Sequence, residues 1–205
     1  MIIMLYLVLD TSASIGFVAL FENEKLLSAK TIPTIELSSE LMKAVEMIFL
    51  ENEKTVQQLD FIACGIGPGS FTGTRIGIVS TKAIAYSLNL PIVEFCSLIS
   101  FTPKGYASLN KFTIITDARS NQIYLLDCNV SSKGPHFADP KHESIDSIAS
   151  IENGFSSDPQ ILEQHKMIEK SSCNLEFLGD FVYKKYLKGE LTTASELRPI
   201  YLKSP

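Results

Sequence analysis

The chain predicts an α/β protein built as two lobes, and three features of its sequence carry that prediction. It opens on two consecutive hairpins rather than on a strand and a crossover helix. Apolar spacing then alternates between strand-like runs and helical recurrence. After Pro103-Lys104-Gly105 a new pair of strand-like runs begins, as if a second sheet were starting. These features place a first lobe at 1–104 and a second at 105–194, with a tail at 195–205 that returns to the first.

Ile2 to Leu9 is a run of large apolar residues, as expected of a central strand covered on both faces, and Asp10-Thr11-Ser12 ends it. Ile15–Leu20 and Lys25–Thr31 follow as strands on either side of a polar turn. Beyond Pro33, Leu37, Leu41, Val45, Ile48 and Phe49 recur at helical spacing, with Glu36, Glu40, Lys43 and Glu46 on much of the other side. Ser38 or Ser39 is the expected cap. Met42, Ala44 and Met47 widen the apolar surface beyond the stripe needed to cover a sheet. Leu59–Ile66 returns as a strand, and the connection GIGPGSFTGTRIG leads into a helix from Arg75 to Leu88. Between Ile76 and Leu90 its one charged residue is Lys82, and small residues surround it, so it is expected to be buried on more than one side. Pro91–Phe95, Phe112–Thr116 and Gln122–Cys128 read as strands, the last two joined across DARSN. Residues 129–172 are polar, with weak helical signals near Ile145–Ile151 and Ile161–Ile168, and an aromatic helix carries Phe181, Tyr183 and Tyr186.

Composition narrows the function. The net charge of -5 is spread over both halves, and no Lys/Arg cluster forms a stripe, which argues against strong unaided binding to a phosphate backbone. Cys64, Cys96, Cys128 and Cys173 are widely spaced and outside any CxxC, the pattern of reduced structural thiols. The apolar start lacks a basic leader and is cut short by Asp10, so it reads as a buried strand of a cytoplasmic protein and not as a signal or membrane anchor.

Two readings of GIGPGSFTGTRIG stand side by side. A glycine-rich turn between strand and helix can cradle phosphate on free amides. It can equally be a shaped turn that lets a helix pack closely. The run lacks the Lys of a P-loop and the spacing of a dinucleotide fingerprint, and Pro68 removes an amide donor. Asp10, with Thr11 and Ser12, either stands near phosphate and metal as in actin-like ATPases or caps the hairpin turn. An ATPase or kinase using Asp10 and the Gly67–Gly73 turn is therefore the alternative to a binding protein. His136, His142 and His165 are scattered in the polar half, and Asp117 with Arg119 reads as a local ion pair or Asx turn. No nucleophile–base pair or metal cluster can be assembled, so no catalytic, cofactor or metal residue is assigned.

Four segments then carry a family resemblance: LVLDTSASIGFVAL (Leu7–Leu20), DFIACGIGPGSFTGTRIGIVSTKAIAYSLNLP (Asp60–Pro91), DARSNQIY (Asp117–Tyr124) and PIYLK (Pro199–Lys203). The chain resembles the bacterial TsaB (YeaZ) family, accessory subunits in making threonylcarbamoyladenosine in transfer RNA. The resemblance implies an actin/Hsp70-type (ASKHA, ribonuclease H-like) duplicated fold with a reduced second lobe. It implies a non-catalytic scaffold that pairs with the catalytic subunit TsaD, which modifies adenosine 37 of transfer RNAs reading codons that begin with A. A TsaE-type ATPase then works with the pair, transfer RNA is met only through the complex, and the chain forms a homodimer when alone. The family often has a histidine before the first helix, and TIELSSEL (Thr34–Leu41) lacks one, which weakens a metal or nucleotide role. Pairing runs through the helices at about 37–51 and 74–88, where the expected contact residues are Leu41, Met42, Val45, Ile48, Ile76, Val79, Ser80 and Ala83.

Overall fold

A computed structural model describes residues 3–202. In chain order the elements are β1 (Leu5–Asp10), β2 (Ile15–Glu22), β3 (Lys25–Pro33), α1 (Leu37–Glu51), β4 (Phe61–Gly65), α2 (Phe71–Leu88), β5 (Ile92–Phe95), β6 (Lys111–Arg119), β7 (Gln122–Ser131), β8 (Gly134–Phe137), β9 (Lys141–Ser144), β10 (Gly154–Ser156), α3 (Pro159–Gln164), β11 (Glu169–Lys170) and α4 (Leu175–Leu187). The chain divides into two units: residues up to Ser97 with Leu175–Ile200, and Leu98–Asn174 with 201–202. The expected boundaries, 104/105 and 194/195, differ from these for physical reasons. Residues 98–102 are tied to the end of the second unit, where the Asn174 amide donates to Ser100 O at 2.7 Å and Ser171 Oγ donates to Phe101 O at 2.7 Å. The segment 175–187 instead carries aromatic side chains that belong to the first sheet.

Both units repeat one strand plan. The first sheet runs β3-β2-β1-β4-β5, antiparallel through its hairpins and parallel from β1 to β4 to β5. The second sheet runs β11-β10-β6-β7-β8, again with antiparallel hairpins and a parallel β6-β10-β11 side. The edge beside β7, which corresponds to β3 in the first sheet, is split: β8 and β9 pair with successive stretches of β7, on either side of Pro140. This repeated order is the duplicated actin-like plan, and the second lobe is the reduced one. At the positions of α1 and α2 it has only a 3₁₀ turn at Ile145–Ser150 and the six-residue α3.

Alternation along β1 sorts the first unit's core into two layers. Leu5, Leu7 and Leu9 meet Leu37, Leu41, Val45 and Ile48 of α1 and Ile78, Ile84 and Ala85 of α2 in one apolar cluster. On the other face Tyr6 stacks between Phe21 and Phe61 at 5.1 and 4.5 Å, and Tyr186 of α4 stacks on Phe61 at 4.2 Å. The Tyr6 hydroxyl donates to Gly179 O, at a point where Gly179 leaves room for the Phe21 ring. Tail residues Leu197 and Ile200 join the first of these layers, with α1 and α2: Leu197 is buried in that cluster, and the Ile200 amide donates to Ile66 O. Ile2 of the expected first strand and residues 203–205 of the tail, with Lys203 of PIYLK, lie outside the described residues.

Two helix starts differ from expectation. Glu36, not Ser38 or Ser39, precedes α1, because a 3₁₀ turn at Thr34–Glu36 feeds straight into it and leaves both serines inside its first turn. α2 begins at Phe71 rather than Arg75, because Ser70 Oγ accepts the Gly73 amide and caps the helix there. Half of the glycine-rich connection is thus helix.

Candidate functional site

The glycine-rich run holds α2 against the β1–β2 hairpin. Gly69, Gly73 and Gly77 are spaced by four, and a Cβ on each would strike, in turn, Ser12, the Thr11 carbonyl and the Thr11 hydroxyl. Thr11 Oγ1 donates to Gly73 O at 2.6 Å, and the Ser70 amide donates to Ser12 O at 2.7 Å. Gly67 has φ +90, a conformation that favours glycine, and it exchanges hydrogen bonds with Ser97: its amide donates to Ser97 Oγ and its carbonyl accepts the Ser97 amide. Asp10 is 4% exposed and accepts the Ser12 amide at 2.8 Å. Burial raises its pKa above the ordinary carboxylate range, against the opposing pull of the Ser12 hydrogen bonds. Thr11 and Ser12, which follow Asp10, lie directly against Gly69, Gly73 and Gly77 of the glycine-rich run. Gly65 completes the fit, since a Cβ there would overlap the Asp10 carboxyl.

The docking of α2 turns a stripe of its side chains outward. Phe71, Arg75, Val79, Ala83 and Tyr86 recur at helical spacing and are all exposed, Val79 at 64% and Tyr86 at 84%. The stripe is about 22 Å long at 1.5 Å per residue. Its one exposed cation, Arg75, lies over the Phe71 ring at 3.6 Å. Ser38 of α1 faces Phe71, Ile76 and Val79 across a groove of about 470 Å³. Ile35, 91% exposed, and Met42 extend apolar surface along α1 and the turn before it.

The eight expected contact residues therefore separate. Val79 and Ala83 are exposed on α2, Ile76 and Ser80 are half-buried beside them, and Met42 is exposed on α1. Leu41, Val45 and Ile48 point the other way and are buried in the unit's own core. One stripe cannot cover the sheet and also meet a neighbour. These three residues have the i, i+4, i+7 spacing of the sheet-facing side. Phe71, Tyr86 and Ile35 were absent from the expectation. Tyr86 could have been found by continuing the spacing from Val79 through Ala83, and Phe71 only by knowing that the helix starts four residues early.

Elsewhere the polar candidates have local explanations. The Arg119 amide donates to Asp117 Oδ1 at 2.9 Å and the two side chains form an ion pair at 3.4 Å, so the Asx turn and the ion pair are both present. The four cysteines are free thiols, and burial pushes Cys64 up to about 12 and Cys128 to about 11, which keeps both protonated and unreactive. Among the described residues no group of three or more His, Cys, Asp or Glu is placed to hold a metal ion. No helix among them is long and apolar enough to cross a membrane.

The sequence profile of the TsaD family, tRNA N6-adenosine threonylcarbamoyltransferase, matches residues 32–196. The TsaB protein of Bacillus subtilis is 33% identical over 122 residues, 59% of this chain and 53% of that protein, so the match spans about half the relative's length. The TsaB protein of Haemophilus influenzae is 22% identical over 97% of this chain and 93% of its own. The chain belongs to this family, in its TsaB (YeaZ) branch. YeaZ from Pseudomonas aeruginosa superposes with a TM-score of 0.82 at 22% identity, over 97% of this chain and 100% of that one, so TsaB-type proteins share the fold just described.

Proposed function

We propose that this TsaB-family chain is a non-catalytic scaffold that pairs with a TsaD-type threonylcarbamoyltransferase during formation of threonylcarbamoyladenosine at position 37 of transfer RNA. The observation that carries the reading is the outward stripe of α2. Phe71, Val79, Ala83 and Tyr86 form an exposed and nearly uncharged strip beside an open groove, a surface that gains by being covered. The names of the curated relatives support the pathway. Transfer RNA and a TsaE-type ATPase then act through the pair, and the same strip joins two copies of the chain when the partner is absent. The net charge of -5 fits indirect contact with RNA. Coverage of apolar area contributes roughly 25 cal/mol per Å² before ordering costs.

The alternative, an actin-like ATPase or kinase using Asp10 and the Gly67–Gly73 turn, fits the geometry poorly. Both features are spent on each other, through Ser12 and Thr11. The test of the proposal is pairing by Val79→Arg and Ala83→Arg, measured by calorimetry against the TsaD-type subunit and by reconstituted transfer-RNA modification. Each change sets a charge into the covered strip and is expected to weaken pairing at least 100-fold and to abolish modification while the monomer stays folded. Undiminished pairing by both variants would overturn the proposed surface. Nucleotide binding by the chain alone, lost on Asp10→Ala, would favour the kinase reading.

A further inference from the structure

The face of α2 that meets the sheet is made chiefly of small residues: Gly73, Thr74, Gly77, Thr81 and Ala85 are buried, with Ile78 and Ile84 as its large anchors. Such a seam permits close approach, but it offers few protruding side chains to lock the helix against sliding or rolling. Its buried residues at the N-terminal end, Gly73 and Thr74, are small. The hold there is polar and comes from two residues of the β1–β2 hairpin. Thr11 Oγ1 donates to Gly73 O at 2.6 Å, and Ser12 O accepts the Ser70 amide at 2.7 Å. Both groups are buried, and Thr11 is 1% exposed, so a bond lost there is not replaced by water without cost.

The three glycines spaced by four make sense against this contact. Each removes a Cβ that would strike Thr11 or Ser12, so the run is shaped around those two residues. We propose that Thr11 is a positioning residue for partner binding: its hydroxyl latches the first turns of α2 and so sets the direction in which Val79, Ala83 and Tyr86 face. Ser12 supplies the second tie through its backbone, and Asp10 holds that backbone by accepting the Ser12 amide. Each helical residue turns the side-chain direction by about 100°, so even a modest roll of α2 swings the stripe off its partner. Thr11 acts from beneath the helix and lies outside the covered strip. The glycine-rich motif is then a mechanical part of the docking surface, set by one strand-end hydroxyl. This inference rests on the scaffold reading for its functional consequence, whereas the latch itself is a property of the chain alone.

The experiment uses the full chain in two arms. In the first, backbone amide exchange is followed across 71–80 in the isolated protein for the wild type, Thr11→Val and Thr11→Ser. Thr11→Val keeps the shape and removes the hydroxyl, so exchange is expected to speed up about tenfold in that segment, while Thr11→Ser stays within about threefold. In the second arm, calorimetry measures affinity for the TsaD-type partner. Thr11→Val is expected to weaken it about tenfold, Thr11→Ser to restore it, and Val79→Arg to eliminate it. Ile161→Val in the second unit serves as a control that lowers stability without touching α2, and its affinity is expected to match the wild type.

Unchanged exchange in Thr11→Val overturns the latch. Faster exchange with wild-type affinity overturns the positioning role. Weakened affinity in the Ile161→Val control would mean that loss of stability alone explains the effect, and it overturns the role too. Wild-type affinity in Val79→Arg sinks the scaffold surface instead and leaves the exchange arm standing as the test of the latch. Should Thr11→Val fail to fold, Thr11→Ala removes the same hydroxyl with a smaller side chain, and it is compared with Thr11→Ser, which keeps the donor. Faster exchange across 71–80 in Thr11→Ala than in Thr11→Ser supports the latch, and equal exchange counts against it.

Discussion

The first unit lays helices of 15 and 18 residues over its sheet, whereas the second covers the same positions of an equivalent sheet with a six-residue 3₁₀ turn and a six-residue helix. The strand order is identical, so the hydrogen-bonded ladder is what each unit must keep. The helices are separable from it. Ile115, Ile123, Leu125, Ile148, Ile161 and Ile168 suffice to close one side of the second sheet. The long helices of the first unit therefore exceed what closing a sheet requires, and their excess is outward surface: Met42, Phe71, Val79 and Tyr86. Among the described residues of the second unit, the exposed large apolar side chains are Met167 and Tyr201, which form no such strip.

Deleting buried volume should break this contrast most strongly. Ile48→Ala removes a fully buried side chain from the large cluster under α1 and is expected to cost about 3–5 kcal/mol, while Ile161→Ala in the small cluster under α3 is expected to cost about 2–3 kcal/mol. Denaturant unfolding of the two variants checks the order, and a reversal would mean that α1 is not the main support of the first sheet. Next in size is Gly73→Ala. The added Cβ meets the Thr11 carbonyl, which is backbone and cannot step aside, so overpacking is expected to cost about 1–3 kcal/mol in a thermal or chemical melt.

The strand-end carboxylates sharpen the comparison further. Asp10 has its pKa raised by burial, so the folded protein carries ionised Asp10 at a disadvantage above that pKa and is relieved of it below. Asp10→Asn is expected to raise Tm at pH 7, and the gain should vanish as pH falls through the raised pKa. By contrast Asp117→Asn removes an ion pair with exposed Arg119 and is expected to lower stability by at most about 1 kcal/mol. Melting curves from pH 4 to 8 test both. The smallest effect is expected in the second hairpin, where Arg119, Ser120 and Asn121 all have positive φ without a glycine among them. Ser120→Gly relieves part of that strain and should stabilise by about 0.5 kcal/mol after the entropy of a freer unfolded chain is counted.

Much of this architecture was legible in the residues. The opening meander, the helix at Leu37–Glu51 and the restart after Gly105 all follow from local period and turn chemistry, and their bounds agree with the structure to within a few residues. The second lobe was hardest to read because its elements are short: β10, β11 and α3 have three, two and six residues, too few to show a period. The candidate surface was half legible. A helix with apolar residues on several sides does not reveal which of them face the sheet, so its pattern alone does not separate Leu41, Val45 and Ile48, which are buried, from Met42, which is exposed.

The sequence alone determined the family, the alternation of strands and helices, and the charge-poor character of α2, because these depend on residue type and short-range spacing. Tertiary structure decided which way each helix faces and what the glycine-rich run is for. Both depend on contacts between residues about 60 positions apart, such as Thr11 with Gly73 and Ser12 with Ser70. Burial is a property of the assembled neighbourhood, and no local pattern holds the information that a strand-end hydroxyl meets the glycine-rich turn.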